Sequence, residues 1–458
     1  MRSWRLFLVL AACALAMTWA LAASGAPAVV GAATATELPG TPVLFEANWD
    51  TVLDLPALGY TQTEYVVDGT ATAYTSASPL TSDGQWTITP SSSAPFRTRM
   101  IVRRPTNPKH SNGVVYFEWL NVSNGFDWDP DWSQAHEEMI RDGYTWVGVS
   151  AQRVGVTDLV NRFPGRYGTL TQPSDSFSYD IFSQVGALFR APGAGDRFLG
   201  GAPVKTLIAG GHSQSAVRMT TYANAFQPRD HVFDAIMIHG RFRTGAPLSQ
   251  APQPVIPTGD PQMIRTDLDV PVMTLEAETE LPDFYTARQP DSPLFRLWEV
   301  PGISHNDAYQ AQYFTISGCT NQINSGPHHY VFEAALEGLR EWAQTGHAPA
   351  SEPRVSVLTA SPFTLDRDAD GNARGGVRTP QLDVPIATLT GFNTPPSCNL
   401  FGSTFPFTQA RLAELYPTHG VYVSKVAHAL TRAVGEGVIL RSDAPEIQGT
   451  AAASSVGK

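Results

Sequence analysis

The five-residue segment Gly211–Ser215, with the sequence Gly-His-Ser-Gln-Ser, carries the side chains with the clearest chemical meaning. It joins an apolar, strand-like run to a segment with helical periodicity. A serine on a sharp turn between strand and helix presents its hydroxyl, provided that the residues two positions away are small. Gly211 and Ser215 satisfy this condition around Ser213, whereas Val217 would crowd Ser215. The pattern predicts Ser213 as a nucleophile; the alternative is a serine that only caps the following helix.

A histidine further along the chain could activate this hydroxyl. A hydroxyl is a poor nucleophile near neutral pH, so it needs an imidazole to take its proton and a carboxylate to orient the imidazole. His305 lies in a short loop with Gly302 and Ser304, directly after the strand-like run Phe295–Val300. We predict His305 as the base; a solvated loop histidine is the alternative.

Three glutamates at the end of another strand-like run compete for the role of the orienting acid. We favour Glu280, which lies beyond the end of the predicted strand, nine residues after Pro271. Glu278 is a close rival, and Glu276 is expected to point elsewhere because it belongs to the strand. The alternative for all three is a surface carboxylate at a strand end.

Backbone N–H groups are expected to stabilise the negative charge that develops on the substrate during attack. One donor should be the N–H of Gln214, which follows the nucleophile. The other should come from the turn Glu118–Gly125, after the run Val114–Phe117, although no single residue in it can be chosen. The sequence therefore predicts one donor of the oxyanion hole as a specific residue and the other only as a segment.

Three side chains are candidates for lining a substrate pocket: Trp119, Asn121 and His239. Core packing is the alternative for Trp119, and a hydrogen-bonded core position is the alternative for His239. Asn121 also begins a glycosylation sequon, Asn-Val-Ser. Beside the predicted oxyanion turn we expect it to be buried and unmodified.

Unbroken apolar runs alternate with segments of helical periodicity between residues 113 and 347. Such runs are typical of parallel strands buried on both faces, and the alternation predicts a mostly parallel sheet wrapped by helices. The runs are Val114–Phe117, Trp146–Val149, Val204–Ala209, Phe233–Ile238 and Val270–Leu275, and the helical segments are Ser133–Asp142, Tyr179–Phe189, Ser215–Phe226 and His329–Gln344.

The two flanking regions follow different patterns. Short alternating runs before residue 112 predict an antiparallel β extension, with strands at Thr63–Val67, Trp86–Thr89 and Arg97–Val102. The region from 348 onward predicts loops and short β structure, followed by helices at Gln409–Leu415 and Tyr422–Val434. We therefore expect one domain over 38–458, with an N-terminal β portion (38–112), a core (113–347) and a C-terminal appendage (348–458).

The first residues have the layout of a cleaved secretory signal peptide. Arg2 and Arg5 precede an apolar run that ends at Ala22, and a small-residue linker is expected over residues 23–37. A secreted or periplasmic protein follows from this reading. Cys13 offers an alternative, because a lipoprotein cleavage at that residue would tether the protein to a membrane.

Two further cysteines, Cys319 and Cys398, would remain after cleavage of the leader. In an oxidising compartment a single disulfide between them is the simplest expectation, and two free buried cysteines are the alternative.

Composition and charge narrow the choice of partners. The chain is 42% hydrophobic and 16% charged, which supports a substantial core, and its net charge is −11. That charge argues against nucleic acid or an anionic membrane as a partner, and no stable membrane association is expected. No metal or cofactor is expected either: the calcium-like segment Asp366–Gly371 is followed by Val377 where a bidentate glutamate would be required.

These motifs resemble the secreted α/β-hydrolase-domain family, whose members carry a G-x-S-Q-S-G elbow, a V-E-W-L-N-V-S segment, an S-E-T-D acid loop and a G-x-S-H histidine loop. The resemblance extends from about Leu38 to the last fifty residues. The matching segments are Gly211–Ala216, Phe117–Ser123, Ala277–Glu280, Gly302–His305 and the late segment Asp368–Gly376.

The resemblance implies the α/β-hydrolase fold, with the residue order serine, acid, histidine along the chain. It implies hydrolase chemistry with loosely defined substrates. Two departures stand out: Ala216 replaces the last elbow glycine, and Glu280 replaces the aspartate of the acid loop and adds a methylene.

The resulting expectation is a secreted, carboxylesterase-like serine hydrolase. It would cleave a small-molecule carboxylic ester, or a related acyl bond, through Ser213, His305 and Glu280 and an acyl-enzyme. A peptidase or polyester depolymerase could use the same residues. The alternative from another class is a secreted binding protein that keeps the fold without the chemistry.

Overall fold

A nine-stranded sheet is the central feature of the computed structural model, which describes residues 30–40, 43, 53–313 and 318–458. The large sheet contains β1 (Thr34–Glu37), β2 (Tyr60–Thr75), β3 (Thr89–Pro105), β4 (Val114–Trp119), β5 (Thr145–Val149), β6 (Thr206–His212), β7 (Ala235–His239), β8 (Val272–Ala277) and β9 (Phe295–Val300). Two hairpins are formed by β10 (Val357–Ala360) with β11 (Phe363–Leu365) and by β12 (Ala387–Thr390) with β13 (Ser403–Pro406).

The α-helices of the described residues alternate with the strands over much of the chain. They are α1 (Pro130–Arg141), α2 (Arg153–Arg162), α3 (Pro164–Tyr167), α4 (Ser178–Leu188), α5 (Ala194–Phe198), α6 (Gln214–Ala225), α7 (Gln227–Asp230), α8 (Leu281–Phe284), α9 (His328–Thr345), α10 (Pro380–Asp383), α11 (Gln409–Leu415), α12 (His419–Glu436) and α13 (Ala444–Ala453). Short 3₁₀ turns lie at Pro108–His110, Tyr285–Ala287, Gln310–Tyr313 and Pro396–Phe401.

The strand order of the sheet is β1-β2-β3-β5-β4-β6-β7-β8-β9. The pairs from β1 to β5 are antiparallel, and those from β5 through β4 to β9 are parallel. The expected α/β architecture, with a mostly parallel sheet, an N-terminal antiparallel extension and a partly helical C-terminal region, is confirmed. Because β6 to β9 run in parallel, the loops that follow them meet at one edge of the sheet.

Both faces of the sheet are covered by hydrophobic packing. In β4, which is buried along its whole length, Val115 and Phe117 face the layer that contains α4 and α6, while Val114 and Tyr116 face the layer that contains α1 and α9. Burial on two faces explains why the parallel strands show unbroken apolar runs in the sequence.

The C-terminal helices join the second of these layers. Tyr422 and Val426 of α12 and Ile447 of α13 belong to the same hydrophobic cluster as Phe332 of α9. The C-terminal appendage therefore shares its core with the sheet.

Two boundaries differ from the sequence-based expectation. Residues Thr34–Glu37, assigned to the linker, form β1, because they pair with β2 and so cover part of a strand edge that would otherwise be open. The prediction of a strand at Trp86–Thr89 is wrong for the first three residues, because β3 begins only at Thr89. The Trp86 ring N–H donates to the carbonyl of Thr81 at 2.7 Å, and the segment folds into a local turn. The predicted leader, residues 1–22 with Cys13, lies outside the described residues.

Cys319 and Cys398 form the predicted disulfide, with a Cα–Cα distance of 5.5 Å. Among the described residues, no helix combines the length and the hydrophobicity needed to cross a bilayer.

Replacing both cysteines with serine should lower the free energy of unfolding by about 2–4 kcal/mol, because the bridge closes a long loop in the unfolded chain, with a sequence separation of 79. Urea denaturation followed by circular dichroism measures the change. The wild-type protein in the presence of a reductant provides the control and should lose the same amount. An unchanged unfolding midpoint in both samples would contradict the expectation.

Candidate active site

Ser213 occupies a strained turn between β6 and α6. Its backbone angles are φ 62° and ψ −122°, and it is one of two non-glycine residues with positive φ in the described part of the chain. A Cβ atom at Gly211 would lie 2.9 Å from the Cβ of Ser215, so a small residue is required there. This is the conformation of a nucleophile elbow, in which strain keeps the serine hydroxyl at the sheet edge.

Hydrogen bonds hold the elbow on both sides. The Ser213 N–H donates to the carbonyl of His239, at the end of β7, over 2.9 Å. The Asn121 side-chain amide donates to the carbonyl of His212 over 3.0 Å. The strained residue is therefore fixed by the neighbouring strand and by the turn that follows β4.

Glu280 and His305 meet in a buried hydrogen bond. Glu280 Oε1 lies 2.5 Å from His305 Nδ1, and the side chains of both residues are almost fully buried. The second oxygen of Glu280 accepts from the Ala277 N–H at 2.6 Å, and the His305 N–H donates to the hydroxyl of Thr279 at 3.0 Å. Since Nδ1 faces the carboxylate, Nε2 is the ring nitrogen left to receive a proton.

Glu278 contacts the histidine loop but not the histidine ring. Its Oε2 accepts from the Gly302 N–H at 3.0 Å, and its Oε1 accepts from the Thr390 hydroxyl at 3.1 Å and forms an ion pair with Arg367. Glu276 has no hydrogen-bond partner for either carboxyl oxygen among the described residues. Burial raises the pKa of Glu276 well above its ordinary value.

The loop of His305 is closed from behind by the C-terminal region. Gly302 has φ 72°, and a Cβ atom there would lie 2.7 Å from Leu382 and 3.2 Å from Leu389. The Asn324 side chain donates to the carbonyl of Gly302 at 3.0 Å. Only glycine fits this tight turn, because it adopts positive φ without strain and leaves room for both leucines.

The elbow and the histidine loop lie against each other. The ring centroid of His212, the residue before Ser213, is 4.4 Å from that of His305. A Cβ atom at Gly240 would lie 3.0 Å from the Nε2 of His212 and 3.3 Å from the Nδ1 of His305. The half-buried Ser213 hydroxyl makes no hydrogen bond to any described residue. The structure thus brings together the elbow of Ser213, the turn after β4, the loop of Glu280 and the loop of His305.

Two backbone N–H groups are suited to an oxyanion hole. Gln214 is the first residue of α6, so its N–H is not used inside the helix. In the turn after β4, the N–H groups of Leu120, Asn121, Ser123 and Gly125 all have acceptors. Among the described residues of this turn, the N–H groups of Val122 and Asn124 have no acceptor. Val122 is buried and Asn124 is exposed, so Val122 is the candidate for the donor that the sequence left open.

The family model described as an alpha/beta hydrolase domain matches residues 26–448. The chain belongs to this family. A comparison with curated proteins found no match.

Several solved structures are similar to this alpha/beta hydrolase domain. A Klebsiella pneumoniae protein described as a dienelactone hydrolase is 14% identical, with 61% of this chain and 99% of that chain covered and a TM-score of 0.31. A lidless serine hydrolase from Xanthomonas campestris is 14% identical over 56% and 91% of the two chains, with a TM-score of 0.30. A fungal esterase from Rhizomucor miehei is 10% identical over 64% and 92%, with a TM-score of 0.33.

The remaining pocket candidates of this hydrolase-family chain are buried. Trp119 packs in the core against Phe182, with ring centroids 5.0 Å apart, and its ring N–H donates to Gln152 at 3.0 Å. This packing favours the core alternative for Trp119. Asn121 is used to hold the elbow, and His239 is a hydrogen-bonded interior residue.

Sequence reasoning missed three interior residues beneath the elbow of this alpha/beta hydrolase domain. They are His212, Asp131 and His328, which surround His239. A signal for one of them was present: β6 and β7 are parallel neighbours, so His212 and His239 stand opposite each other at the ends of their strands. The sequence around His328 and Asp131 contains no motif that would single out either residue.

Candidate cation sites in the described residues are occupied by other contacts. Glu138, Asp142 and Glu337 form the one group of three whose oxygens come close enough to share an ion. Arg141 already pairs with Glu138, and Arg340 with Glu337. In the calcium-like loop, Asp370 pairs with Arg411 at 2.8 Å. These carboxylates are neutralised by arginine.

One cavity, bounded largely by C-terminal elements, lies away from the predicted catalytic residues. Its volume is about 420 Å³, and its walls come from α9, β12, β13 and the helices α10, α12 and α13. Ser213, Glu280 and His305 are not among its lining residues, so it is not the space in which they would act.

The backbone of Ser213 gives a prediction that does not depend on activity. Ser213→Gly should be about 1 kcal/mol more stable than Ser213→Ala, because glycine adopts positive φ without the strain that a Cβ atom causes. Both variants lack the hydroxyl, so the comparison isolates the backbone. Thermal denaturation of the two variants side by side measures the difference; equal midpoints would mean that the elbow is not strained.

Proposed function

We propose that this protein is a serine hydrolase that cleaves carboxylic esters through an acyl-enzyme. The observation that carries the proposal is the buried Glu280–His305 hydrogen bond, in a loop that packs against His212, the residue before a serine held at φ 62°. Membership of the alpha/beta hydrolase domain family supports hydrolytic chemistry in general. The strained serine and the oriented histidine favour a covalent mechanism over a binding role, since a binding protein has no need to keep either.

The residues divide the chemistry in a defined order. The Ser213 hydroxyl attacks the ester carbonyl while His305 Nε2 takes its proton, and Glu280 stabilises the imidazolium that forms. The imidazolium then gives this proton to the departing alcohol, which leaves Ser213 acylated. A water molecule attacks the acyl-enzyme with His305 again as base, and the carboxylic acid product is released.

The tetrahedral oxygen would be held by backbone N–H groups of Gln214 and Val122. Gln214 begins α6, so the partial positive charge of the helix N-terminus adds to its own N–H. Val122 is held close to the elbow because the neighbouring Asn121 is hydrogen-bonded to the carbonyl of His212. The two donors would therefore approach the oxygen from the elbow and from the turn after β4.

We further propose that the protein works outside the cytoplasm. The Cys319–Cys398 disulfide supports an oxidising compartment, and the sequence layout of residues 1–22 is that of a cleaved leader.

Ser213→Ala should abolish hydrolysis of p-nitrophenyl acetate while the protein stays folded, because the attacking oxygen is removed. A fluorophosphonate probe should label the wild-type protein and not the variant, and mass spectrometry should locate the label on Ser213. Ser215→Ala is the matched control and should be labelled normally. Turnover retained by Ser213→Ala would remove Ser213 from the mechanism, and a folded wild-type protein that the probe does not label would favour a binding role.

Glu280→Gln should lower kcat for the same ester by about 10²- to 10⁴-fold, because the amide cannot stabilise the imidazolium of His305. Glu278→Gln should lower it far less, since Glu278 bonds the backbone of the histidine loop and Arg367 rather than the ring. Steady-state kinetics with both variants gives the ranking. The reverse order would transfer the role of the acid to Glu278.

A further inference from the structure

Beneath the elbow, a hydrogen-bonded chain of buried side chains joins three elements of the fold. Asp131 Oδ1, at the start of α1, lies 2.8 Å from His239 Nδ1 at the end of β7. His239 Nε2 lies 2.7 Å from His328 Nε2, at the start of α9. All three residues are at most 1% exposed, so water does not compete for these bonds.

The proton positions in this chain follow from its acceptors. Asp131 also accepts from the Tyr116 hydroxyl at 2.7 Å and lies in the first turn of α1, where a negative charge is favoured. Burial raises the pKa of Asp131 to about 7. When Asp131 is ionised, its carboxylate accepts the Nδ1–H of His239, which leaves Nε2 of that ring as a lone pair. His328 must then donate its Nε2–H, and its Nδ1 has no partner among the described residues.

Both imidazoles are neutral in this arrangement. Burial lowers the pKa of His239 and of His328 well below the ordinary value for histidine, which agrees with a chain that holds a single proton between the two rings. The ring nitrogens of the site histidines do not converge on one point: no three described metal-binding groups there bring their ligand atoms within 4.8 Å of one another. The cluster is thus a hydrogen-bonded chain rather than a metal centre.

The chain reaches both halves of the proposed catalytic machinery. The carbonyl of His239 accepts the N–H of Ser213 at 2.9 Å, so the position of His239 sets the position of the strained elbow. The His239 ring lies 4.3 Å from the ring of His212, which in turn lies 4.4 Å from the ring of His305. The His212 ring therefore lies between the other two rings and packs against both.

We infer that Asp131, His239 and His328 are positioning residues that hold the Ser213 elbow in register with the His305 loop. The inference rests on the proposed function, because it assigns these residues to the same site. None of the three contacts the substrate in this scheme. Asp131 anchors His239 from α1, and His328 fixes the far side of the ring from α9, so that the His239 carbonyl cannot move away from the Ser213 N–H.

The sharpest test substitutes His328, the last residue of the hydrogen-bonded series. One variant keeps the hydrogen bond to His239 and another removes it. Glutamine at position 328 can present an amide N–H near the place of the imidazole Nε2–H, and nothing is lost at Nδ1, which has no partner. We expect His328→Gln to keep kcat for p-nitrophenyl acetate within about threefold of wild type. His328→Leu should lower kcat at least about tenfold, with KM changed by less than about twofold, because alignment rather than binding is lost.

A second measurement reads the same geometry without turnover. In protein labelled with ¹⁵N-histidine, the imidazole proton shared by His305 and Glu280 gives a resonance that reports on the position of the histidine loop. It should shift in His328→Leu and stay in place in His328→Gln. If the leucine variant does not fold, His328→Asn, which is too short to reach His239, takes its place.

The two proposals fail in different ways. Equal kcat values and unshifted resonances in the leucine and glutamine variants would overturn the positioning role, even if the wild-type protein is an active esterase. A wild-type protein that neither hydrolyses the ester nor reacts with the fluorophosphonate would overturn the proposed function. In that case the resonance still decides whether the chain positions the histidine loop.

Discussion

The backbone of Ser213 stays at positive φ only because its neighbours hold it there. A non-glycine residue in such a conformation costs about 1–3 kcal/mol, which the local turn alone cannot offset. The His239 carbonyl holds the N–H of Ser213, and Asn121 holds the carbonyl just before it. Because Gly211 has no side chain, α6 can pack directly on β6. The parallel sheet is what places β7 and the turn after β4 on either side of this residue.

The parts of this arrangement that are local in sequence could be predicted. The buried parallel strands show unbroken apolar runs, and the elbow shows small residues on both sides of a serine, because these patterns result from contacts within a few residues. The pairing of Cys319 with Cys398 could be predicted for a simpler reason, since they are the only cysteines that remain after the expected leader. Glu280 was preferred over Glu278 on its position after the strand, and its contact with His305 agrees with that choice.

Contacts between distant segments could not be predicted. Nothing in the sequence near His328 indicates that it meets His239, because the contact depends on where α9 packs. The role of Glu278 depends on Arg367 and Thr390, which are about a hundred residues away and reach it only in the folded chain. Trp86 looked like a strand residue because its neighbours alternate, yet a hydrogen bond to Thr81 commits it to a turn. The strand β1 looked like linker because its four residues, Thr-Ala-Thr-Glu, are too few to show a clear pattern.

The histidine loop is supported by residues that are synthesised long after it. Leu382 and Leu389 close the space behind Gly302, and Arg367 pairs with the glutamate that holds the same loop. These residues leave the ribosome more than sixty positions after His305. A nascent or truncated chain that ends before Arg367 therefore lacks the wall against which the histidine loop closes.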